Sequence, residues 1–211
     1  MRTWGELCRN FGARVARTAR EAGLIEDVMP GTYCRAGLAE DFMVRAHALA
    51  LHTEPDGLLT GLAAAYAWGV YDETPERITM QVPRHWHVQA PGWARLLRVP
   101  HAGRQFRWNG LPLVSAADAV VQVWREARPD VGIAVVIAAV QRRKATVSAL
   151  LEALDRRKRM PRRARLEELL AVVGTEVTSY LEYIAWRDVF PPRLFRSCAG
   201  RWKCGRTAAS E

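Results

Sequence analysis

The sequence predicts an α+β fold, and three observations carry that prediction. Hydrophobic residues make up 49% of the chain and charged residues 25%, an ordinary globular balance that excludes a chain too polar to fold. Strand-like segments bounded by turn residues cluster between residues 25 and 113. From Ser115 onward the apolar residues recur at helical spacing instead, so the second half should be helical. A length of 211 residues suits one domain with an appendage or two small domains. The expected layout has a winged-helix-like segment over residues 1–37, a mixed α+β domain over 38–160, a helical segment over 161–190 and an unstructured basic tail over 191–211.

The first elements are a helix over Thr3 to Asn10 and a second over residues 12–23. In the second, Val15, Ala16, Ala19 and Ala22 supply a small apolar face and Gly23 a C-terminal stop. Arg14, Arg17 and Arg20 fall three apart and therefore share one side of it. Leu24 to Met29 and Thr32 to Cys34 read as two strands joined by a Pro30–Gly31 turn. A basic helix followed at once by a hairpin is the pattern of a winged helix-turn-helix, in which the helix enters the major groove and the hairpin touches the backbone. Leu38 to Thr53 reads as a long helix, Leu58 to Gly61 as a turn, and Leu62 to Gly69 as a small-residue helix capped by Thr60. Ile78 to Val82 alternates up to Pro83, and Ala94 to Val99 and Phe106 to Leu113 are further strands, the last folded at Asn109–Gly110. Helices follow at Ser115 to Ala127, Ile133 to Val140, Thr146 to Leu154, Arg165 to Val173 and Glu176 to Phe190, where Pro191–Pro192 ends the last.

The net charge of +9 comes from 28 Arg and 3 Lys against 22 acids, and it is grouped. Residues 77–117 contain no Asp or Glu, and residues 142–165 hold ten basic residues against Glu152 and Asp155. The segment 193–211 adds +4. Such blocks attract polyanions, nucleic acid first among them, although any single block also suits a solvated surface. Arg156, Arg157, Lys158, Arg159, Arg162 and Arg163 form a secondary basic patch that could bind phosphates or a partner's acidic face, or serve as a solvated linker broken at Pro161.

Other chemistry is poorly supplied. No run of 18 apolar residues is present, so no transmembrane helix is expected. The segment Met1 to Gly12 has no apolar stretch and does not read as a secretory signal. Cys8, Cys34, Cys198 and Cys204 fit neither a zinc pair nor a disulfide framework, which points to the reducing cytoplasm. His85 and His87 could ligate a metal, but no carboxylate or thiol lies beside them; no metal and no other cofactor is expected. Trp86, Trp93, Phe106 and Trp108 interleave with the acid-free Arg block, where they could stack on single-stranded bases or, as is commoner in strands, pack in the core. Ser115 and Ser179 lack a nucleophile elbow and read as helix caps.

Several segments together resemble one family. Residues 20–34, with Gly23, Val28, Pro30, Gly31 and Tyr33, resemble the GxxxxVxPGxY wing of actinobacterial proteins related to the AbiEi antitoxins of toxin–antitoxin pairs. Residues 59–70, 78–83 and 110–119 are similar to the segments that follow in that family, in the same order. The resemblance implies an autorepressor with an N-terminal winged helix, double-stranded DNA as one partner and a nucleotidyltransferase-like toxin as another. Residues 177–182 resemble the opening of a very-short-patch-repair-like nuclease domain, in which Glu182 would be the first acidic residue. That chemistry needs further carboxylates for a divalent metal, and after Asp188 only Glu211 remains. Residues 161–190 therefore read as a truncated remnant of an endonuclease-like domain rather than an active enzyme.

The expected function is that of a DNA-binding antitoxin-like transcriptional regulator, with Arg14, Arg17 and Arg20 on the recognition helix and Gly31 at the wing tip. The alternatives are a metal-dependent endonuclease using Glu182 and a non-enzymatic module that binds a toxin through the acid-free Arg face.

Overall fold

The computed structural model describes residues 1–86, 89–100, 103–157, 159–173 and 180–184. The fold is α+β. Its first part runs β1 (Arg2–Thr3), α1 (Trp4–Phe11), α2 (Ala13–Glu21), β2 (Ile25–Met29) and β3 (Thr32–Arg35). These strands form an antiparallel sheet in the order β1-β3-β2. α1 starts at a complete capping box, in which Thr3 Oγ1 accepts from the Glu6 N–H at 3.3 Å and Glu6 accepts from the Thr3 N–H at 2.8 Å.

α3 (Phe42–Thr53) leads into a second sheet. It is built from β4 (Leu58–Leu59), β5 (Ile78–Pro83), β6 (Ala94–Val99), β7 (Phe106–Trp108) and β8 (Leu111–Leu113), with α4 (Gly61–Ala67) after β4. The order is β6-β5-β4-β8-β7, with β5–β6 and β4–β8 parallel and β4–β5 and β7–β8 antiparallel. The remaining described elements are α5 (Ala116–Glu126), α6 (Pro129–Gln141), α7 (Val147–Asp155), α8 (Arg163–Val173) and α9 (Tyr180–Ile184). No helix among the described residues is long and apolar enough to cross a membrane.

Two cores result. The sheet core gathers Met29 from the first sheet with Phe42 and Leu49 of α3 and Leu59, Met80 and Leu113 of the second sheet. The helical core gathers Val120 and Trp124 of α5 with Ile133 and Val136 of α6, Leu150 and Leu154 of α7, and Leu166 and Leu170 of α8. Tyr183 of α9 joins the helical core, so the described part of 161–190 packs with the helices before it. Trp86, Trp93, Phe106 and Trp108 lie half-buried against the sheet core, as expected for aromatics in and beside strands.

Four expectations are corrected. α3 begins at Phe42 instead of Leu38, because Asp41 accepts from the Val44 N–H at 3.0 Å and caps the helix there. Leu58–Leu59 is a central strand instead of a turn, fully buried between β5 and β8; two residues are too few to show periodicity in a sequence. β5 is buried nearly throughout rather than on alternate residues, because α3 and α4 pack against it and β4 and β6 flank it in the sheet. On α2 only Ala16 is buried, whereas Val15 is 57% exposed: the helix offers its neighbours a contact one methyl wide. The helix expected over Glu176 to Phe190 is described only at α9, and residues 191–211 lie outside the described residues. The β7–β8 hairpin forms at Asn109–Gly110 as expected, both residues having positive φ as a tight two-residue turn requires.

One close approach explains the start of β4. A Cβ on Gly57 would lie 2.0 Å from Thr53 Oγ1 and 2.4 Å from its Cβ, so the chain leaving α3 passes where no side chain fits. Gly5, inside α1, has nothing within 4 Å of such a Cβ. Gly57→Ala should therefore cost about 1–3 kcal/mol by overpacking. Gly5→Ala should stabilise by up to about 1 kcal/mol by reducing backbone freedom in the unfolded chain. Urea unfolding of both variants beside the parent protein checks the opposite signs.

Candidate nucleic-acid interface

α1 and α2 meet at Gly12, whose φ of +85° turns the chain between them. Thr3 of β1 pairs with Thr32, the Trp4 N–H donates to the Gly31 carbonyl at 3.0 Å, and the Trp4 and Tyr33 rings lie 5.4 Å apart. These contacts tie the start of α1 to the hairpin. Glu26 of β2 fastens its other end: its Oε1 accepts from the N–H groups of Leu38 at 3.0 Å and Ala39 at 2.9 Å. Hydrogen bonds, that of Ala39 first, hold the Glu26 carboxyl below the ordinary carboxylate range against the opposing effect of desolvation. His52 Nε2 lies 3.1 Å from the Pro30 carbonyl and brings the hairpin tip against α3. Neither Glu26 nor His52 stands out in the sequence, because their partners are backbone groups far along the chain.

The predicted site residues separate into two groups. Arg14 and Arg17 are exposed on α2 and make no ion pair or hydrogen bond among the described residues. Arg20 shares their face, but its guanidinium donates to Asp27 at 3.0 Å and lies 5.4 Å from the Tyr33 ring centre. It braces α2 to β2 and β3 before any ligand arrives. Gly31 is exposed at the tip, with φ of +76° and its carbonyl already taken by Trp4.

The secondary basic patch is largely occupied with itself. Arg156 and Arg157 each lie 3.1 Å from Asp118 of α5. Arg162 donates to the Trp124 carbonyl at 2.6 Å and lies over the Trp124 ring. Arg163 bonds Asp155, and Glu167 at 2.8 Å. Arg159 is exposed, and Lys158 lies outside the described residues. Part of the acid-free block is likewise engaged, with Arg95 3.3 Å from Glu126, Arg98 donating to the Trp86 carbonyl and Arg107 to the Gly110 carbonyl, while Arg84 and Arg104 make no ion pair among the described residues. Glu182 stands exposed on α9, and among the described residues no group of three or more His, Cys, Asp or Glu is placed to hold a metal. His87 lies outside the described residues.

Asp118 is the junction of that network. Its carboxylate accepts from Ser115 Oγ at 2.6 Å, while its own N–H donates to the same hydroxyl at 3.1 Å and caps α5. Burial pushes its carboxyl upward, but the Ser115 and Arg156 hydrogen bonds and the Arg157 and Arg156 charges outweigh it and lower the pKa.

Comparison with protein-family models gives no match, and comparison with curated proteins gives none either.

A lowered carboxyl pKa stabilises the fold above the unfolded value and loses that contribution as pH falls through the folded one. The protein should therefore lose the Asp118 contribution as pH drops below the ordinary value of 3.8. Asp118→Asn should cost about 1–3 kcal/mol at pH 7, the worth of hydrogen bonds to a charged group, and the gap from the parent protein should narrow in acid. Urea unfolding of both at a series of pH values measures that convergence.

Proposed function

We propose that this chain is a DNA-binding transcriptional regulator of the antitoxin type, with α2 as the helix that meets the duplex. The observation that carries the reading is the pair Arg14 and Arg17. They are exposed on one face of a helix seated on the β1-β3-β2 sheet, and no internal partner among the described residues competes for them. Several guanidinium groups in the basic blocks, among them Arg156, Arg157 and Arg162, are instead spent on carboxylates and carbonyls, whereas Arg14 and Arg17 lie together on one helix face with neither engaged among the described residues. Two guanidinium groups one helical turn apart suit successive phosphates or a phosphate and a base edge. The sheet order β1-β3-β2, with two helices inserted between β1 and β2, supports a winged-helix reading of this part. Arg20 acts in it by positioning α2 on the hairpin, and Gly31 by keeping the tip short.

A nucleotidyltransferase-like toxin as partner belongs to the same reading and rests on the family resemblance in residues 20–34 and 59–119. The reading also makes this a cytoplasmic protein without catalytic activity.

Each phosphate contact contributes about 0.9 to the slope of log affinity against log salt concentration. Arg14→Ala/Arg17→Ala should lower that slope by about 2 for a DNA duplex, measured by fluorescence anisotropy from low to moderate salt. Both residues are exposed, so the thermal melting of the double variant should match the parent protein. An unchanged slope in a folded double variant overturns the reading.

A further inference from the structure

A second feature lies away from α2, in a groove of about 950 Å³ between the start of α5, the β6–β7 region and both ends of α7. Its size is that of sites which enclose organic ligands. Two half-buried aromatics, Trp68 and Phe106, line it with ring centres 5.6 Å apart in an edge-to-face pair. Trp68 is locked by its indole N–H, which donates to the Val114 carbonyl at 3.0 Å, so the aromatic wall is rigid. Arg104, Lys144, Arg156 and Arg157 line the groove against Asp118 and Glu152, four cations to two anions, a local excess of +2.

The cations differ in availability. Arg156 and Arg157 share the single carboxylate of Asp118, which leaves one positive charge in excess at that corner. Lys144 and Arg104 are exposed and make no ion pair among the described residues. The Arg104 guanidinium lies 5.6 Å from the Phe106 ring centre, holding a planar cation at the aromatic wall. Ala116 and Ala117 also line the groove, in the first turn of α5 where backbone N–H groups have no partner within the helix. Aromatic side chains and unneutralised cations beside a helix N-terminus together match a planar ring that carries a phosphate.

We propose that this groove binds a nucleotide, either free or as part of a single strand. The planar base packs on the Trp68–Phe106 wall, and the phosphate is held by Lys144 and Arg104 beside the start of α5. A duplex does not fit the same chemistry, because its bases are stacked and present no free face. The proposal is independent of the reading of α2, since no residue is shared between the two sites.

The test uses the full chain with two probes at low salt. Adenosine 5′-monophosphate is titrated by calorimetry, and a fluorescein-labelled single-stranded oligothymidine of about ten nucleotides by anisotropy. Binding of the mononucleotide alone identifies a free-nucleotide site; binding of the oligonucleotide alone identifies a single-strand site, and either result supports the proposal. Arg104→Glu/Lys144→Glu should weaken whichever probe binds by at least about tenfold without lowering the melting temperature, since both residues are exposed. Phe106→Leu, which keeps an apolar side chain but removes the ring, should weaken it several-fold. Arg14→Ala/Arg17→Ala should leave it within about twofold of the parent protein, which separates this site from the duplex site. The proposal is overturned if neither probe binds, or if the folded charge-reversal variant binds as well as the parent protein.

Discussion

α5 has to be buried on every side but one, and most of the architecture follows from that requirement. Eight of its eleven residues are buried, so its neighbours must cover it almost completely. Ala119 belongs to the sheet core, while Val120, Val123 and Trp124 belong to the helical core; one helix thus forms the wall between the two. The alanines of α4 are the counterpart of this arrangement. Ala63 and Ala64 face the sheet core and Ala65 the helical core, and their short side chains let α4 lie close against α5 and β5. The exposed residues of α5 are Arg125 and Glu126 at its end, while at its half-buried polar beginning Ser115 and Asp118 close the helix and gather Arg156 and Arg157.

That gathering changes the meaning of the net charge. A total of +9 suggests a surface broadly attractive to polyanions, yet many of the guanidinium groups in the described residues are committed. They clamp the end of α7 to α5, tie the chain before α8 to the Trp124 carbonyl, and hold strand ends through carbonyl groups. Arginine suits this task because its planar fork satisfies several oxygens at once while its stem covers apolar surface. The charge left over includes Arg14 and Arg17 together on one face of α2 and Lys144 and Arg104 together at the groove. Location rather than total charge is what distinguishes a candidate binding surface from an internal brace.

The legibility of the elements varied with their length and with the locality of their bonds. α5 and α7 were readable because about ten residues of periodic pattern and a Ser or Thr start signal are local facts, whereas α6 was readable only as an apolar run from Ile133 and in fact starts four residues earlier, at Pro129. The β7–β8 hairpin was readable for the same reason, since Asn109–Gly110 dictates its own turn. β4 was not, because a two-residue strand exists only through the strands that flank it. Of the candidate interface, the face shared by Arg14, Arg17 and Arg20 was readable from spacing. The capture of Arg20 by Asp27 and Tyr33 was not, as it depends on how β2 and β3 lie against α2.

By itself the sequence determined the α+β class, the presence of the longer helices, the hairpin after α2 and the blocks in which positive charge accumulates. These depend on periodicity, caps and turn residues, which act within a few positions along the chain. Tertiary structure alone decided which strands lie at the centre of the sheet and which arginines remain free. It also brought Trp68, Phe106, Lys144 and Arg104 to one groove from positions up to 76 residues apart, counting from Trp68 to Lys144. The physical reason is common to all three: an ion pair, a ladder hydrogen bond and a cavity wall each need a second group whose position depends on the path of the whole chain.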